Sequence, residues 1–347
     1  MKRDFTELLA KSEKARELVR INKEALEAEG ASWELVPNEM RALKDVMDHA
    51  NSYFAFIGGE TGTGKSFGCR VFGNVDGAPQ LIVRCNPSTK EKDLFGEFVP
   101  DESGKGLLKF APGPVIEAMV EGYDVILDEW SNVQPEIQVS MNPVADETPF
   151  FSYKGKIFSK HKNFRVYATG NPGYAASSEF QLALKNRLTG VVVLPPMDEG
   201  RFVSFMKKKR PWLNKEFYSV LFKTHIALED LAKSHDFREK VKFSVRNAQG
   251  FADQLREPDL SRDQFRNIFK ILYTNFLSLD NNNAAKIPGA VKATAPNVDK
   301  LFELYKDSMK AAGKGGEPEP APKADEAHAG ATDDELSEAL DFLGKVC

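Results

Sequence analysis

An α/β fold, with a parallel sheet sandwiched by helices and a small all-α domain after it, is the architecture this sequence predicts. Two observations carry the prediction. Between Tyr53 and Leu194 five short apolar runs, YFAFI, QLIVRC, DVILD, FRVYAT and GVVVL, alternate with helical segments and are bounded by Gly, Asn, Asp or Pro. Continuous apolar strands of this kind suit a parallel sheet, which is buried on both faces. After Pro195 and Pro196 the strand pattern stops, and Glu199 to about Leu279 reads as several helices rich in Phe and Leu.

Taken in order, the segment from Phe5 to about Ala28 has helical spacing, with Phe5, Leu8, Leu9, Leu18, Ile21 and Leu26 among many Lys and Glu, and it stops at Gly30. Residues 1–32 are therefore expected to hold one N-terminal helix. Residues 33–196 are expected to form the α/β domain, 197–284 the helical domain, and 285–347 a linker and acidic tail. From Ala311 the composition turns to Gly, Pro, Ala and acidic residues, which bury too little apolar surface to order themselves. From Gly316 onward nine acidic residues face two lysines, a balance of −7, so the preceding residues carry +3 of the chain's total of −4. The tail ends in DDELSEALDFLGKVC, where Leu336, Leu340 and Leu343 share one helical face and the acidic residues lie at the start, the end that a helix dipole favours. A short amphipathic helix on a tether is the candidate for recruiting a partner.

Composition narrows the function classes. With 347 residues, 41% of them hydrophobic, the chain can bury one large core or two modest ones. A net charge of −4 gives no overall basic footprint, so net charge implies neither nucleic acid nor an anionic membrane surface as partner. Cys69, Cys85 and Cys347 lack the paired spacing of a zinc site or disulfide framework, which fits a reducing compartment. The N-terminus, MKRDFTELLAKSEKAREL, is charged throughout, and no stretch approaches a membrane span. The expectation is a cytoplasmic protein.

Three motifs carry chemistry. Gly59, Glu60, Thr61, Gly62, Thr63, Gly64, Lys65 and Ser66 match G-x-x-x-x-G-K-[ST], after a predicted strand and before a helix, and with Phe67 they are the expected cofactor-binding residues. Glycines let such a loop curl its N–H groups onto phosphate oxygens, and the helix adds the positive end of its dipole. Lys65 would neutralise the β and γ phosphates of a nucleotide, and the Ser66 hydroxyl would ligate magnesium. The run Gly122 to Glu129 is an apolar strand ending in two carboxylates, at the sheet edge where open α/β folds bind ligands. Asp128 would hold magnesium and Glu129 would accept a proton from the attacking water; a strand-terminal Asp-Glu also suits simple capping of the next helix. A further strand, Phe164 to Thr169, runs into Gly170, Asn171, Pro172 and Gly173. Asn171 could hold the attacking water or touch the γ phosphate, or serve only the turn that Asn-Pro-Gly favours.

These residues resemble the AAA+ ATPases, specifically their MoxR-like and dynein-related branch, over roughly Pro37 to Leu255. GETGTGKS at 59–66, LDEW at 127–130 and ATGNPG at 168–173 look like Walker A, Walker B and sensor 1 in that order. DLFGE at 93–97, followed by FAPGP at 110–114, resembles the insert this branch carries before Walker B. FFSYKGKIF at 150–158 reads independently as a β-hairpin with a Lys-Gly turn, which matches the branch's hairpin before sensor 1. The resemblance implies a P-loop sheet with a helical lid, ATP and Mg2+ as ligands, and a homo-oligomer such as a hexameric ring. It also implies roles for two arginines. Arg187 sits where the family has the arginine finger that reaches a neighbour's nucleotide, and Arg246 where the lid carries sensor 2. Many relatives read Gln-Asn-Pro at sensor 1 where this chain has Gly-Asn-Pro, and the acidic tail has no counterpart in the family core.

The implied activity is ATP hydrolysis that remodels or activates a separate client or adaptor protein. The alternative is a motor on nucleic acid, with GTP as a possible fuel, supported only by the basic run Lys207 to Arg210, which equally suits a solvated helix terminus.

Overall fold

The computed structural model describes residues 3–49, 53–101, 108–171, 182–234, 245–274 and 287–312. In chain order the strands are β1 (Phe54–Gly59), β2 (Gln80–Arg84), β3 (Gly96–Pro100), β4 (Leu108–Pro112), β5 (Asp124–Asp128), β6 (Phe150–Tyr153), β7 (Lys156–Ser159), β8 (Arg165–Gly170) and β9 (Gly190–Leu194). The helices are α1 (Thr6–Lys11), α2 (Glu13–Ala28), α3 (Asn38–His49), α4 (Lys65–Asp76), α5 (Glu91–Phe95), α6 (Pro114–Glu121), α7 (Pro135–Ser140) and α8 (Asn142–Ala145). They continue with α9 (Leu182–Lys185), α10 (Glu199–Lys209), α11 (Lys215–Ser234), α12 (Val245–Gln254), α13 (Arg262–Phe269) and α14 (Ile287–Ala312).

The five predicted strands form one parallel sheet in the order β2-β5-β8-β1-β9. Their side chains alternate between two apolar layers, as the period-2 pleat requires. Ala55, Ile57, Ile126 and Tyr167 pack with α3 and α4 on one face. Phe54, Phe56, Val125, Leu127, Val166 and Ala168 pack with α5 and α6 on the other. Both β1 and β8 run one or more residues past their apolar runs because Gly58 pairs with Gly170, and glycine continues the ladder although it adds nothing to a hydrophobic pattern. Two antiparallel pairs lie outside this sheet, β3 with β4 and β6 with β7. The second closes through Lys154 and Gly155, both at positive φ (48° and 75°), the primed turn whose twist matches a two-residue hairpin.

Three sequence expectations change. The N-terminal helix is two helices, because Ser12 adopts extended backbone and its hydroxyl accepts the Ala15 N–H at 3.1 Å, starting α2 afresh. Residues 96–100 and 108–112 supply an extra strand pair where a sequence insert was expected without assigned structure. Residues 285–347 were expected as linker and tail, yet 287–312 form α14, whose Leu301, Leu304 and Tyr305 are buried with α10 to α13 in one apolar cluster. The remaining tail, including Leu336, Leu340, Leu343 and Cys347, lies outside the described residues. Among the described residues no helix is long and apolar enough to cross a membrane.

An ion network ties the N-terminal segment to the far end of β5. Buried Arg3 bonds both carboxylate oxygens of fully buried Asp124, reaches Asp76 at 2.6 Å and donates to the Asn163 carbonyl at 3.1 Å. Lys44 completes it on Asp76 at 2.8 Å.

Candidate functional site

At the opposite end of β5 a cleft of about 1710 Å³ opens between the loop after β1, the C-terminal ends of β5 and β8, and helices α10 and α12. The loop after β1 holds Gly62 at φ 85° and Gly64 at φ 92°, backbone open only to glycine at low cost. Gly64 is the N-cap of α4, so the free N–H groups of that helix face the loop's concavity. Lys65 donates at 2.8 Å to the carbonyls of both Gly59 and Glu60. Its ammonium is held below the ordinary lysine value, chiefly by burial, while Asp128, Glu129 and Glu60 act in the opposite sense.

Strand register brings the acidic ends to this loop. Leu127 pairs with Ala168, so Asp128 and Thr169 follow side by side. Ser66 Oγ donates to Asp128 Oδ1 at 2.5 Å, and Thr169 Oγ1 donates to the same oxygen at 2.6 Å. Hydroxyl and carboxylate oxygens are the donors magnesium accepts, usually one or two from protein with the rest from water and phosphate. Among the described residues no cluster of three or more His, Cys, Asp or Glu is placed to hold a metal, so the Ser66 and Asp128 pair fits magnesium shared with a phosphate and does not fit an all-protein cage. Glu129 has left-handed backbone, φ 60°, unusual for a side-chain-bearing residue and frequent at functional turns. Its N–H donates to Thr169 Oγ1 at 3.3 Å, and its Oε2 accepts from Asn132 Nδ2 at 2.7 Å. The Asn171 N–H donates to buried Ser131 Oγ at 3.1 Å, and both residues line the cleft together with Glu129.

A nucleotide-phosphate loop, a hydroxyl and carboxylate pair, and a second carboxylate on one cleft are the parts of a P-loop ATPase site. Residues 55–188 match the family model of the AAA domain, dynein-related subfamily. Residues 55–188 are thus similar to an AAA domain. An uncharacterized protein of Staphylococcus epidermidis is 27% identical over 187 residues, 53% of this chain and 71% of that one. YojN of Bacillus subtilis is 28% identical over 148 residues, 42% of this chain, and the match spans about half of YojN, 48%. Among solved structures, NtrX from Brucella abortus in complex with ADP is 17% identical, with a TM-score of 0.40 over 84% of this chain and 72% of that chain.

The remaining residues that the sequence singles out divide between the cleft and the outer surface. Thr61, Gly62, Thr63, Gly64, Lys65, Ser66, Phe67, Asp128, Glu129, Asn171 and Arg246 all line the cleft, and Arg246, from α12, is close enough to lower the Lys65 pKa by repulsion. Arg187 is apart from it. Its side chain is 38% exposed, pairs with Asp146 at 3.5 Å and donates to the Ala183 carbonyl at 3.0 Å. The basic run of α10 is engaged within the fold: Lys208 on Glu34 at 3.0 Å, Lys209 over the Phe67 ring at 5.3 Å, and Arg210 on both oxygens of Asp253 at 3.0 and 2.7 Å. Cys69 and Cys85 are free and buried. Burial raises both thiols, that of Cys85 to about 12.

Sequence reasoning missed Thr169, Ser131, Asn132 and Lys209. Thr169 lies inside the ATGNPG motif, where only Asn171 had been given a role, and Asn132 reaches Glu129 three residues away, while Ser131 and Lys209 acquire their partners through tertiary packing.

Proposed function

We propose that this protein hydrolyses ATP with magnesium in an oligomeric ring of the MoxR-like kind and uses the energy to remodel or activate a partner protein or complex. The observation that carries the reading is the convergence of Lys65, Ser66, Asp128, Glu129, Asn171 and Arg246 on one cleft while Arg187 stands on an exposed surface outside it. Lys65 and Arg246 bring two cations to the ground where a triphosphate would lie. The N–H groups at the start of α4 would cradle its oxygens. Magnesium, held by Ser66 and Asp128, would screen phosphate charge and orient the transferring group. Glu129 would take the proton from the attacking water, and Asn171 would orient that water. Arg187, with no part in its own cleft, suits a role at the neighbouring subunit's nucleotide, which makes turnover depend on assembly.

The basic run of α10 gives little support to a nucleic-acid motor, since three of its four cations are engaged by Glu34, Phe67 and Asp253. The test is a pair of variants read by equilibrium ATP binding and steady-state phosphate release. Lys65→Ala should lose binding, whereas Glu129→Gln should keep binding and lose turnover. Equal ATP affinity in the two variants, or normal turnover by Glu129→Gln, would overturn the assignment of roles.

A further inference from the structure

Beside the nucleotide cleft, with which it shares Gly200 and Ser204, lies a groove of about 850 Å³ between α10 and the start of α11, bordered also by Glu199, Val203, Lys207, Lys208, Lys215 and Glu216. Two of its cations form no ion pair among the described residues. Lys207 donates only to the carbonyls of Pro211 (2.5 Å) and Leu213 (3.0 Å), and no carboxylate pairs with Lys207 or Lys215 among the described residues. The neighbouring charges are matched, Lys208 by Glu34, Glu216 by Lys300 and Glu199 by Lys223. Lys207 and Lys215 repel one another, an effect that adds to burial in holding the Lys207 ammonium below its ordinary value. An acidic group in the groove would relieve that repulsion.

The chain leaves the described fold at this place. Ser308 of α14 accepts the Asn214 N–H at 3.1 Å, and Asn214 directly precedes Lys215. Ala312 ends α14 one turn further on, about 6 Å along the axis. Beyond Ala312 the sequence has a Gly, Pro and Ala segment, 313–332, and then the acidic, Leu-bearing residues 333–347. For a chain of that length and composition the root-mean-square reach is on the order of 25 Å. That span is enough to turn back over the groove, at an effective concentration near the millimolar range.

We propose that residues 333–347 dock as a helix in this groove of their own chain. On a helix Leu336, Leu340 and Leu343 form one stripe, and Asp333 and Glu335 fall on its two flanks, roughly 60° and 100° away, while Asp334, Glu338 and Asp341 point to the opposite side. The Leu stripe covers Val203 and the lysine stems, and Asp333 and Glu335 meet Lys207 and Lys215. The occupant is the chain's own segment because its tether starts beside the groove and its charge, −4 over 333–347 from five acidic residues and one lysine, is opposite to that of the lysine pair. Helix α10 carries Lys209 against Phe67 at the edge of the nucleotide cleft, so the docked segment lies on a helix that borders both sites.

The test uses the full chain. Cys69 and Cys85 are buried with raised thiols, so a maleimide and succinimide cross-linker attaches at Cys347. Cross-links read by mass spectrometry in a mixture of heavy and light chains should join Cys347 to Lys207 or Lys215 of the same chain, about tenfold above other exposed lysines. They should fall about fivefold in 0.5 M salt, where charge attraction is screened. The variant Asp333→Lys with Glu335→Lys should lose them, whereas Asp334→Lys with Glu338→Lys, of identical net charge, should keep them. Links spread evenly over surface lysines, links between heavy and light chains only, or equal loss in the two variants would each overturn the proposal.

Discussion

Replacing Arg3 by Met should destabilise the fold by about 3–5 kcal/mol, the cost of leaving one member of a buried ion pair without its partner. The structure identifies which group bears that cost. Asp76 keeps Lys44 at 2.8 Å when Arg3 is removed, but Asp124, fully buried, loses the guanidinium that bonds both its oxygens. Burial already holds the Asp124 carboxyl above the usual carboxylate range, and Arg3 is the main influence lowering it. Without Arg3 the folded-state pKa rises further above the unfolded value near 3.9. A raised carboxyl pKa favours folding below the unfolded value, and that favour is lost as pH rises through the folded value. The deficit of the variant should therefore be largest at pH 7 and smaller at pH 5, by up to about 1.4 kcal/mol per unit of pH between the two pKa values. Urea unfolding followed by tryptophan fluorescence at both pH values measures it, with Trp130 buried in the core as the reporter. Adding Asp124→Asn should recover part of the loss, because an amide has no charge to bury. A loss under about 1 kcal/mol, or one that does not shrink on acidification, would refute the claim that Asp124 depends on Arg3.

Arg187→Ala should bind ATP almost normally and hydrolyse it on the order of a thousandfold more slowly, as expected for loss of a finger arginine. Mixing it with Lys65→Ala subunits should restore turnover at mixed interfaces; no recovery in rings whose mixed composition is established by mass would restrict Arg187 to its own subunit. Leu301→Ala, at a fully buried position of α14, should cost about 2–5 kcal/mol in the same urea assay, whereas a linker residue would cost nothing measurable.

What could be read from the sequence was whatever depends on residues close together along the chain. The phosphate loop declares itself in eight consecutive residues because a backbone that turns at Gly62 and Gly64 and then starts a helix needs those residue types in that order. The five sheet strands were legible because burial on both faces demands an unbroken apolar run. Lys154-Gly155 was legible because a two-residue hairpin needs positive φ at both positions. Arg187 and Arg246 had no local signal and entered only through resemblance to a family. The tertiary structure alone decided the rest. Thr169 meets Asp128 only through the register of two strands some forty residues apart. Residues 287–312 carry Pro296 and follow an Asn-rich stretch, local signals that argue against a long helix, yet the buried Leu301, Leu304 and Tyr305 offset them once α11 and α13 provide a surface. Arg3 lies 73 residues from Asp76 and 121 from Asp124 along the chain. Charges so placed become a network only when packing removes the water between them, so the sequence by itself contained the charges and the fold determined their pairing.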